Sequence, residues 1–323
     1  MRKVSHGLSY FHICLSPHLR YVCLYGSSVP EAQFADLFQL ISSLPTSLEN
    51  FTIVCGKGEE ELLKDTVSAF VCRCGSSPRA FRFYIPLTEA AIQRIMQLPN
   101  LCTWDTAQAP PQTAPLSVFP SLKHIYLRRP ATLPWIHLLA SRANISETLQ
   151  TLKCPSGTIV DPTFLSSILK FRNLVILHVD TRCQVGRDCT FRLADADMES
   201  LATTLPRLKE LQLGPSRGCN FCNTTVASLM SISTHCLDLK GLETHFNTLT
   251  IVGDMERLLD GNSGRDSAKC QLQKLGVGYS SPGVDGEDVE TVVKGFKAIF
   301  PCLMGFTDHS GRWLELRSKL QSL

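Results

Sequence analysis

The sequence lacks the features by which several functional classes are recognised. No five residues of like charge follow one another, and the net charge is only +3 over 323 residues. This balance gives no indication of a nucleic-acid or membrane surface. The longest apolar runs are well short of the ~20 residues of a transmembrane helix. The start of the chain, Met1-Arg2-Lys3 followed by an interrupted apolar stretch, is a poor signal peptide.

Catalytic signatures are also missing. The chain has no Gly-x-Ser-x-Gly elbow, no phosphate loop ending in Gly-Lys-Ser/Thr and no His-Glu-x-x-His pair. Gly276-x-Gly278 follows a predicted strand, but Ser281 stands where a nucleotide fingerprint needs its third glycine. We therefore expect a protein that is not an enzyme and that needs no cofactor.

Cysteine, by contrast, is abundant, with fourteen residues scattered along the chain. Cys154 stands where a buried apolar residue is expected, and a free thiol behaves as a small hydrophobe. We interpret most of the cysteines as reduced and buried, which favours a cytoplasmic or nuclear protein. Cys219, Cys222 and His235 match three ligands of a zinc finger, but no fourth ligand has the right spacing, so loop or buried thiols are favoured over a metal.

The dominant pattern is Leu-x-x-Leu-x-Leu, which recurs along nearly the whole chain, usually every 25 to 34 residues. The clearest copies are residues 122–127, 174–179, 208–213 and 272–277, and looser copies begin at Leu19, Leu48, Pro78, Leu101, Leu149, Leu239 and Leu303. A repeated unit of this length is typical of a solenoid. Solenoids present a long surface that mostly holds other macromolecules.

Each motif is followed by a polar turn and then by a helical pattern. Proline follows several of these helical stretches, as in Leu98-Pro99 and Leu205-Pro206, and it ends a helix because it has no backbone N–H. Thr88 is a plausible helix cap. The predicted helices are Glu31–Leu44, Glu59–Cys72, Thr88–Leu98, Pro134–Ala143, Pro162–Phe171, Asp195–Leu205, Thr224–Ser233, Asp254–Leu259 and Asp288–Phe300. Repeated strand–helix units predict an α/β fold with a parallel sheet and helices on its other side.

Side chains alternate along a strand, so the residues between the motif's leucines should lie on the concave face of the sheet. Aromatic residues and arginine are enriched among binding hot spots, although strands also favour tyrosine for its own sake. The candidate protein-binding residues on this face are Tyr21, Tyr25, Arg82, Tyr84, His124, Tyr126, Arg128, Lys153, His178 and Asp180. The same alternation places Asp105, Glu210, Gln212 and His245 there as well.

We expect one domain over residues 1–323, made of about ten to eleven irregular repeats. A proline-rich insertion near 107–117 should form an exposed loop. Near 309–323, Trp313, Leu314, Leu316 and Leu320 should form a helix that caps the last strand, because a terminal repeat lacks a neighbour on one side.

The repeats resemble leucine-rich repeats of the irregular, ribonuclease-inhibitor-like kind, with a curved sheet on the concave side and helices on the convex side. They depart from the strict pattern, because Ser27, Arg182 and Ser216 stand where Asn or Cys should follow the strand. A closer similarity links segments such as Phe119–Leu122, Leu201–Leu213 and Leu237–Gly253 to the repeat region of F-box proteins from mushroom-forming basidiomycete fungi.

That resemblance implies a substrate-recognition subunit of a cullin ubiquitin ligase, in which the repeats hold a protein substrate and an F-box binds the Skp-type adaptor. No Leu-Pro-x-Glu segment leading a three-helix F-box precedes Leu19. Adaptor binding is therefore expected only of a longer gene product. The alternative is a leucine-rich-repeat scaffold unrelated to ubiquitination. Either way we expect a monomer whose partner is a protein, with no nucleic acid and no membrane.

Overall fold

A computed structural model describes most of the chain. The described residues are 20–26, 36–41, 48–55, 60–107, 119–129, 133–155, 157–181, 190–215, 222–261, 270–277, 288–307 and 313–322. Most of the proline-rich insertion lies outside these residues, as does the first part of the C-terminal segment. The backbone contacts divide the chain into two compact units, Met1–Leu149 and Gln150–Leu323. We describe each unit by itself.

The first unit contains five described strands that follow one another in a parallel sheet. They are β1 (Tyr21–Gly26), β2 (Asn50–Cys55), β3 (Ala80–Phe83), β4 (Thr103–Thr106) and β5 (His124–Leu127). Its helices are α1 (Glu60–Arg73), α2 (Glu89–Met96), α3 (Leu133–Ala140) and α4 (Ala143–Thr148), and residues 36–41 are also helical. Strand and helix thus alternate over much of the unit.

The second unit repeats this arrangement with six described strands. They are β6 (Thr151–Cys154), β7 (Ile176–Thr181), β8 (Glu210–Pro215), β9 (Gly241–Thr244), β10 (Lys274–Gly276) and β11 (Gly305–Thr307), all parallel and in chain order. The helices are α5 (Pro162–Ile168), α6 (Asp195–Thr204), α7 (Val226–His235), α8 (Ile251–Gly261), α9 (Asp288–Ile299) and α10 (Leu314–Ser322). The prediction of parallel strands alternating with helices is confirmed.

The strands bury one face and leave the other partly open. In β5, Ile125 and Leu127 are buried while His124 and Tyr126 are half-buried. In β7, Leu177, Val179 and Thr181 are buried and their neighbours are half-buried. This period of two arises because successive side chains point to opposite sides of a strand. It places the motif's second and third apolar residues in the core, as the sequence predicts.

The two units fill their cores with different residues. In the first, phenylalanines take positions that leucine holds elsewhere, and the rings of Phe51 and Phe70 lie 4.5 Å apart between centroids. In the second, the equivalent strand positions carry leucine, as at Leu211, Leu242 and Leu275, all buried. Burial of such apolar side chains contributes about 1.5–3 kcal/mol each, so both patterns stabilise the same arrangement.

Local signals in the sequence set the helix ends. The hydroxyl of Thr88 accepts a hydrogen bond from the N–H of Ala91 at 3.4 Å, so the predicted cap of α2 is confirmed. Asp161 caps α5 more tightly, since its carboxylate accepts from the N–H of Phe164 at 2.7 Å. Pro99, Pro206 and Pro301 follow the ends of α2, α6 and α9 within three residues, where the chain leaves each helix.

Two helix boundaries differ from the expectation. The region predicted as one helix, Pro134–Ala143, covers α3 except for its first residue and reaches only the first residue of α4, and Ser141 and Arg142 separate the two helices. The region predicted as Asp254–Leu259 is part of the longer helix α8. In the described part of the chain, no helix has both the length and the apolar character that crossing a bilayer requires.

The predicted C-terminal helix is present as α10, which packs against β11. Trp313, Leu316 and Leu320 are buried, and the Trp313 ring lies 5.3 Å from that of Phe306 in β11. Leu314, which we grouped with them, is 63% exposed. The helix therefore covers the last strand with three of the four predicted residues.

Candidate functional site

Seven of the ten candidate residues belong to the first unit, and the structure describes the side chains of six of them, all except Tyr25. The strand register aligns Tyr21, Asn50, Ala80, Thr103 and His124 in one row across β1 to β5. The next row contains Cys23, Thr52, Arg82, Asp105 and Tyr126. Tyr84 and Arg128 follow the ends of β3 and β5. We call these residues the first-unit face.

Two candidate residues, Tyr84 and Arg128, contact each other directly on this face, and Arg128 also pairs with Asp105. Arg128 donates from Nε and Nη2 to the two carboxylate oxygens of Asp105, at 2.8 and 2.6 Å. Its Nη2 also donates to the Tyr84 hydroxyl at 2.7 Å, and the guanidinium carbon lies 4.7 Å from the centroid of the Tyr84 ring. Such a bidentate, charge-assisted pair holds both planes in a fixed orientation. Because of the hydrogen bonds to Asp105, the pKa of Arg128 is raised above its usual value.

The other candidate residues of the first-unit face differ in their exposure. Tyr21 is 72% exposed, Arg82 is exposed, and His124 and Tyr126 are half-buried. Burial, together with the neighbouring charge of Lys123, lowers the pKa of His124. That imidazole is therefore mostly neutral at pH 7. Tyr25 belongs to β1, but its side chain lies outside the described part of the structure.

The second unit carries the remaining three candidates, Lys153, His178 and Asp180, all half-buried. The register places Lys153 of β6 beside His178 of β7. His178 Nε2 lies 3.1 Å from a carboxylate oxygen of Glu210 on β8. Desolvation and the charge of Lys153 lower the pKa of His178, while Glu210 opposes the shift. At pH 7 this contact is mainly a hydrogen bond from a neutral imidazole.

A groove of about 400 Å³ lies over this second face. Its lining includes His178, Glu210, Gln212, Glu243, Lys274 and Thr307. An added Cβ at Gly241 would approach only the Glu210 side chain, at 4.0 Å, so there is open space beside this position. The lining mixes polar and apolar groups and carries both signs of charge, so a ligand there could find partners for charged groups of either sign.

One residue predicted to face outward is buried, and a second has the predicted direction but is covered by its neighbour. His245 is buried rather than outward, because β9 ends at Thr244 and the alternation of side chains ends with it. Asp105 has the outward phase but is only 3% exposed, since Arg128 pairs with it from the neighbouring strand. Alternation thus predicts the direction of a side chain only inside a strand, and it does not predict which neighbours cover it.

The thiols follow the expectation only in part. Cys154, Cys222, Cys236 and Cys270 are buried, but Cys23, Cys72 and Cys302 are exposed. The buried thiols of Cys154, Cys236 and Cys270 are free. Burial raises the pKa of Cys154 and of Cys236 to about 12, so these thiols stay protonated and serve as core residues.

The incomplete zinc-finger pattern is only partly described by the structure. Cys222 is buried, His235 is exposed at the end of α7, and Cys219 lies outside the described residues. Among the residues that the structure describes, no three His, Cys, Asp or Glu side chains are grouped as metal ligands would be.

Sequence reasoning missed the partners that order these faces. Asp105 and Glu210 were recognised as outward residues but not as binding residues, although they hold Arg128 and His178 in place. The strand register could have revealed both pairs. Asp105 is in β4 and Arg128 follows the neighbouring strand β5, and His178 and Glu210 are in the neighbouring strands β7 and β8. Opposite charges on neighbouring strands at similar depth are expected to pair.

Fold and face together define the class of protein. It is an α/β chain of parallel strands alternating with helices, and each unit leaves one sheet face open to polar contacts. No protein-family model matches the chain, and no curated protein matches it. The geometry of the two faces and the sequence pattern therefore carry the functional argument.

Proposed function

We propose that this chain is a leucine-rich-repeat protein that binds another protein through the open face of its parallel sheet and catalyses no reaction. One observation carries the proposal. The strands bury their apolar side chains on one face and leave tyrosine, arginine and histidine half-exposed on the other, as at Arg82, His124 and Tyr126. These residue types dominate the energetics of protein interfaces.

The repeat pattern supports the narrower fold assignment. Leucine-rich repeats place a strand motif at regular intervals and return through a helix. The described strands recur at the positions of that motif, as at β5, β7, β8 and β10. The turn residues depart from the strict Asn or Cys of the family, so the proposal is for the irregular, ribonuclease-inhibitor-like kind.

The contacts on the faces support a binding role more than a catalytic one. Arg128 is engaged by Asp105 and Tyr84, and His178 by Glu210. These pairs orient side chains across neighbouring strands and thereby stiffen the surface. Preorganised side chains lose little entropy when a partner binds.

Within this role, we propose that the chain is the substrate-recognition part of an F-box subunit of a cullin ubiquitin ligase. The support is the sequence resemblance to fungal F-box repeat regions. The test is affinity purification of the gene product extended upstream of Met1. A co-purified Skp-type adaptor supports the ligase role, while partner capture without the adaptor favours a scaffold outside ubiquitination.

The binding role is tested by quantitative mass spectrometry of proteins retained by the tagged chain. We expect the double variant Tyr84→Ala, Tyr126→Ala to retain at least about tenfold less of each specific partner, because two interface aromatics are worth several kcal/mol. The matched control is Glu89→Ala, Gln97→Ala, two exposed positions of α2 and the residue after it.

Circular dichroism and thermal unfolding show whether the variants keep their fold. A photo-crosslinking residue at position 126 should label a partner that the same residue at position 97 does not. Equal retention by the face variant and the helix variant would remove the first-unit face from consideration.

A further inference from the structure

The first-unit face is richer in cations than in carboxylates. On the face and at its edges, the described residues include Arg20, Arg79, Arg82, Lys123, Arg128 and Arg129 against Glu49, Asp105 and Glu60. Each of these carboxylates is already engaged. Glu49 lies 3.6 Å from Arg20 and 4.0 Å from Arg79, and Glu60 lies 3.9 Å from Arg129. The surplus charge is therefore positive.

Arg128 is fixed in a way that leaves part of its guanidinium available. Its Nε and Nη2 are used by Asp105 and Tyr84, and these bonds set the plane of the group. The Arg128 side chain is nevertheless 44% exposed, whereas that of Asp105 is 5% exposed. A guanidinium held from behind by a buried carboxylate presents its remaining N–H groups to an incoming anion at little entropic cost.

Arg82 supplies a second cation close by. The strand register places Arg82 of β3 beside Asp105 of β4. Arg128 follows β5, the strand on the other side of β4. Arg82 is exposed, and within the described part of the chain no carboxylate pairs with it. Arg82 and Arg128 thus flank Asp105 on the same face, with the half-buried Tyr84 and Tyr126 around them.

The second unit is more evenly charged. Its described face and edge carry Lys153, Lys209, Lys240 and Lys274 against Asp180, Glu210 and Glu243, so that side chains of both signs lie close together. An acidic ligand would meet repulsion there as well as attraction. The two faces are therefore expected to discriminate between ligands by charge.

We infer that the first-unit face takes an extended, acidic segment of a partner protein, with Arg82 and Arg128 contacting its carboxylates and Tyr84 and Tyr126 packing against its side chains. This inference rests on the proposed protein-binding function and specifies the chemistry of the partner. Arginine suits carboxylates because its planar donors match their two oxygens.

The test is fluorescence anisotropy with three labelled probes: the peptide (Glu-Tyr)5, its neutral counterpart (Gln-Tyr)5 and a twelve-residue oligothymidine. We expect (Glu-Tyr)5 to bind at least about tenfold more tightly than (Gln-Tyr)5, and its binding to weaken as salt rises. Arg82→Gln should weaken the binding of (Glu-Tyr)5 about tenfold, since one charge-assisted contact is lost.

The matched control is Lys274→Gln, which removes one exposed cation from the other unit and should change binding by less than about twofold. Arg128→Lys keeps the positive charge opposite Asp105 but loses the planar guanidinium with its paired N–H donors. It should therefore also weaken the binding of (Glu-Tyr)5. Arg82 is exposed, so Arg82→Gln should fold normally. It therefore keeps the test informative even if Arg128→Lys does not fold.

Four results would overturn the inference: equal binding of the two peptides, no binding of either, equal losses from Arg82→Gln and Lys274→Gln, or tighter binding of the oligothymidine. The last would assign the face to nucleic acid. Partner capture that depends on Tyr84 and Tyr126 while (Glu-Tyr)5 fails to bind would reject only the acidic partner, so the two proposals fail in distinguishable ways.

Discussion

Arg128 and Asp105 form a bidentate ion pair that joins the last two strands of the first unit. The guanidinium lies 2.8 and 2.6 Å from the two carboxylate oxygens. The carboxylate is almost completely buried, while the guanidinium is partly open to water. A buried carboxylate is tolerated when it is paired and hydrogen-bonded. The pair therefore contributes to the order of the sheet face as well as to its charge.

Breaking this pair from the arginine side should destabilise the protein. Arg128→Gln leaves the Asp105 carboxylate buried without its cation, and we expect the free energy of unfolding to fall by about 2 kcal/mol, below the loss for a fully buried pair because Arg128 reaches solvent. Urea unfolding measures the change. Arg129→Gln removes an ion pair between exposed groups, in which the Arg129 nitrogen lies 3.9 Å from a Glu60 oxygen, and should lower the free energy of unfolding by less than about 0.5 kcal/mol.

The double variant Asp105→Asn, Arg128→Gln should recover part of the loss, since it removes the buried charge together with its partner. A double variant less stable than the sum of the two single changes would contradict the assigned pairing.

Helix packing in the second unit gives a prediction about a side chain that is too large for its site. Gly295 of α9 faces Met255 of α8 so closely that an added Cβ would lie 2.8 Å from the Met255 Cγ. Gly295→Ala should therefore lower the free energy of unfolding by about 1 kcal/mol, because the overpacking exceeds the gain in helix propensity. In Gly253→Ala the new methyl meets nothing within 4 Å, and this control should be stabilised by up to ~1 kcal/mol. Thermal unfolding of the two variants should move in opposite directions, and a stabilised Gly295→Ala would reject the close contact.

The strands can be predicted from the sequence because the apolar residues that define the repeat motif are the residues whose side chains are buried in the core. Ile125 and Leu127 lie in the core because they occupy the apolar positions of the motif, and Thr88 caps α2 because its hydroxyl accepts a hydrogen bond from the N–H three residues later. Both signals are local. They depend on residues within a few positions of one another, so a single sequence contains them.

The parts that could not be predicted depend on neighbours that are distant in the chain. Asp105 and Arg128 are separated by twenty-three residues, and their contact requires the stagger of two strands. His245 turns inward because a strand ends one residue earlier, at Thr244. Strand ends are weakly encoded, since the pattern continues past the last hydrogen bond.

Acid should weaken the second unit through His178. Burial and Lys153 lower the pKa of His178 below its ordinary value of 6.5, so on acidification the unfolded chain takes up the proton first. This contribution to stability is present above pH 6.5 and is lost as the pH falls below it. Between pH 7.5 and 5.5, the free energy of unfolding should drop less in His178→Gln than in the unaltered protein. Lys153→Gln should raise the His178 pKa in an NMR titration, and equal pH dependence of His178→Gln and the unaltered chain would contradict the assignment.

The end of the chain should depend on one tryptophan. Trp313 is almost fully buried against Phe306, and α10 covers β11 at the edge of the sheet. Trp313→Ala should lower the free energy of unfolding by about 3 kcal/mol, because it leaves a cavity beside the last strand. Leu314→Ala changes a neighbouring side chain that is 63% exposed, and should cost less than about 0.5 kcal/mol. Deleting residues 311–323 should go further and reduce solubility, since Phe306 of β11 would lose its cover. A deletion variant as soluble and stable as the whole chain would show that α10 is not a cap.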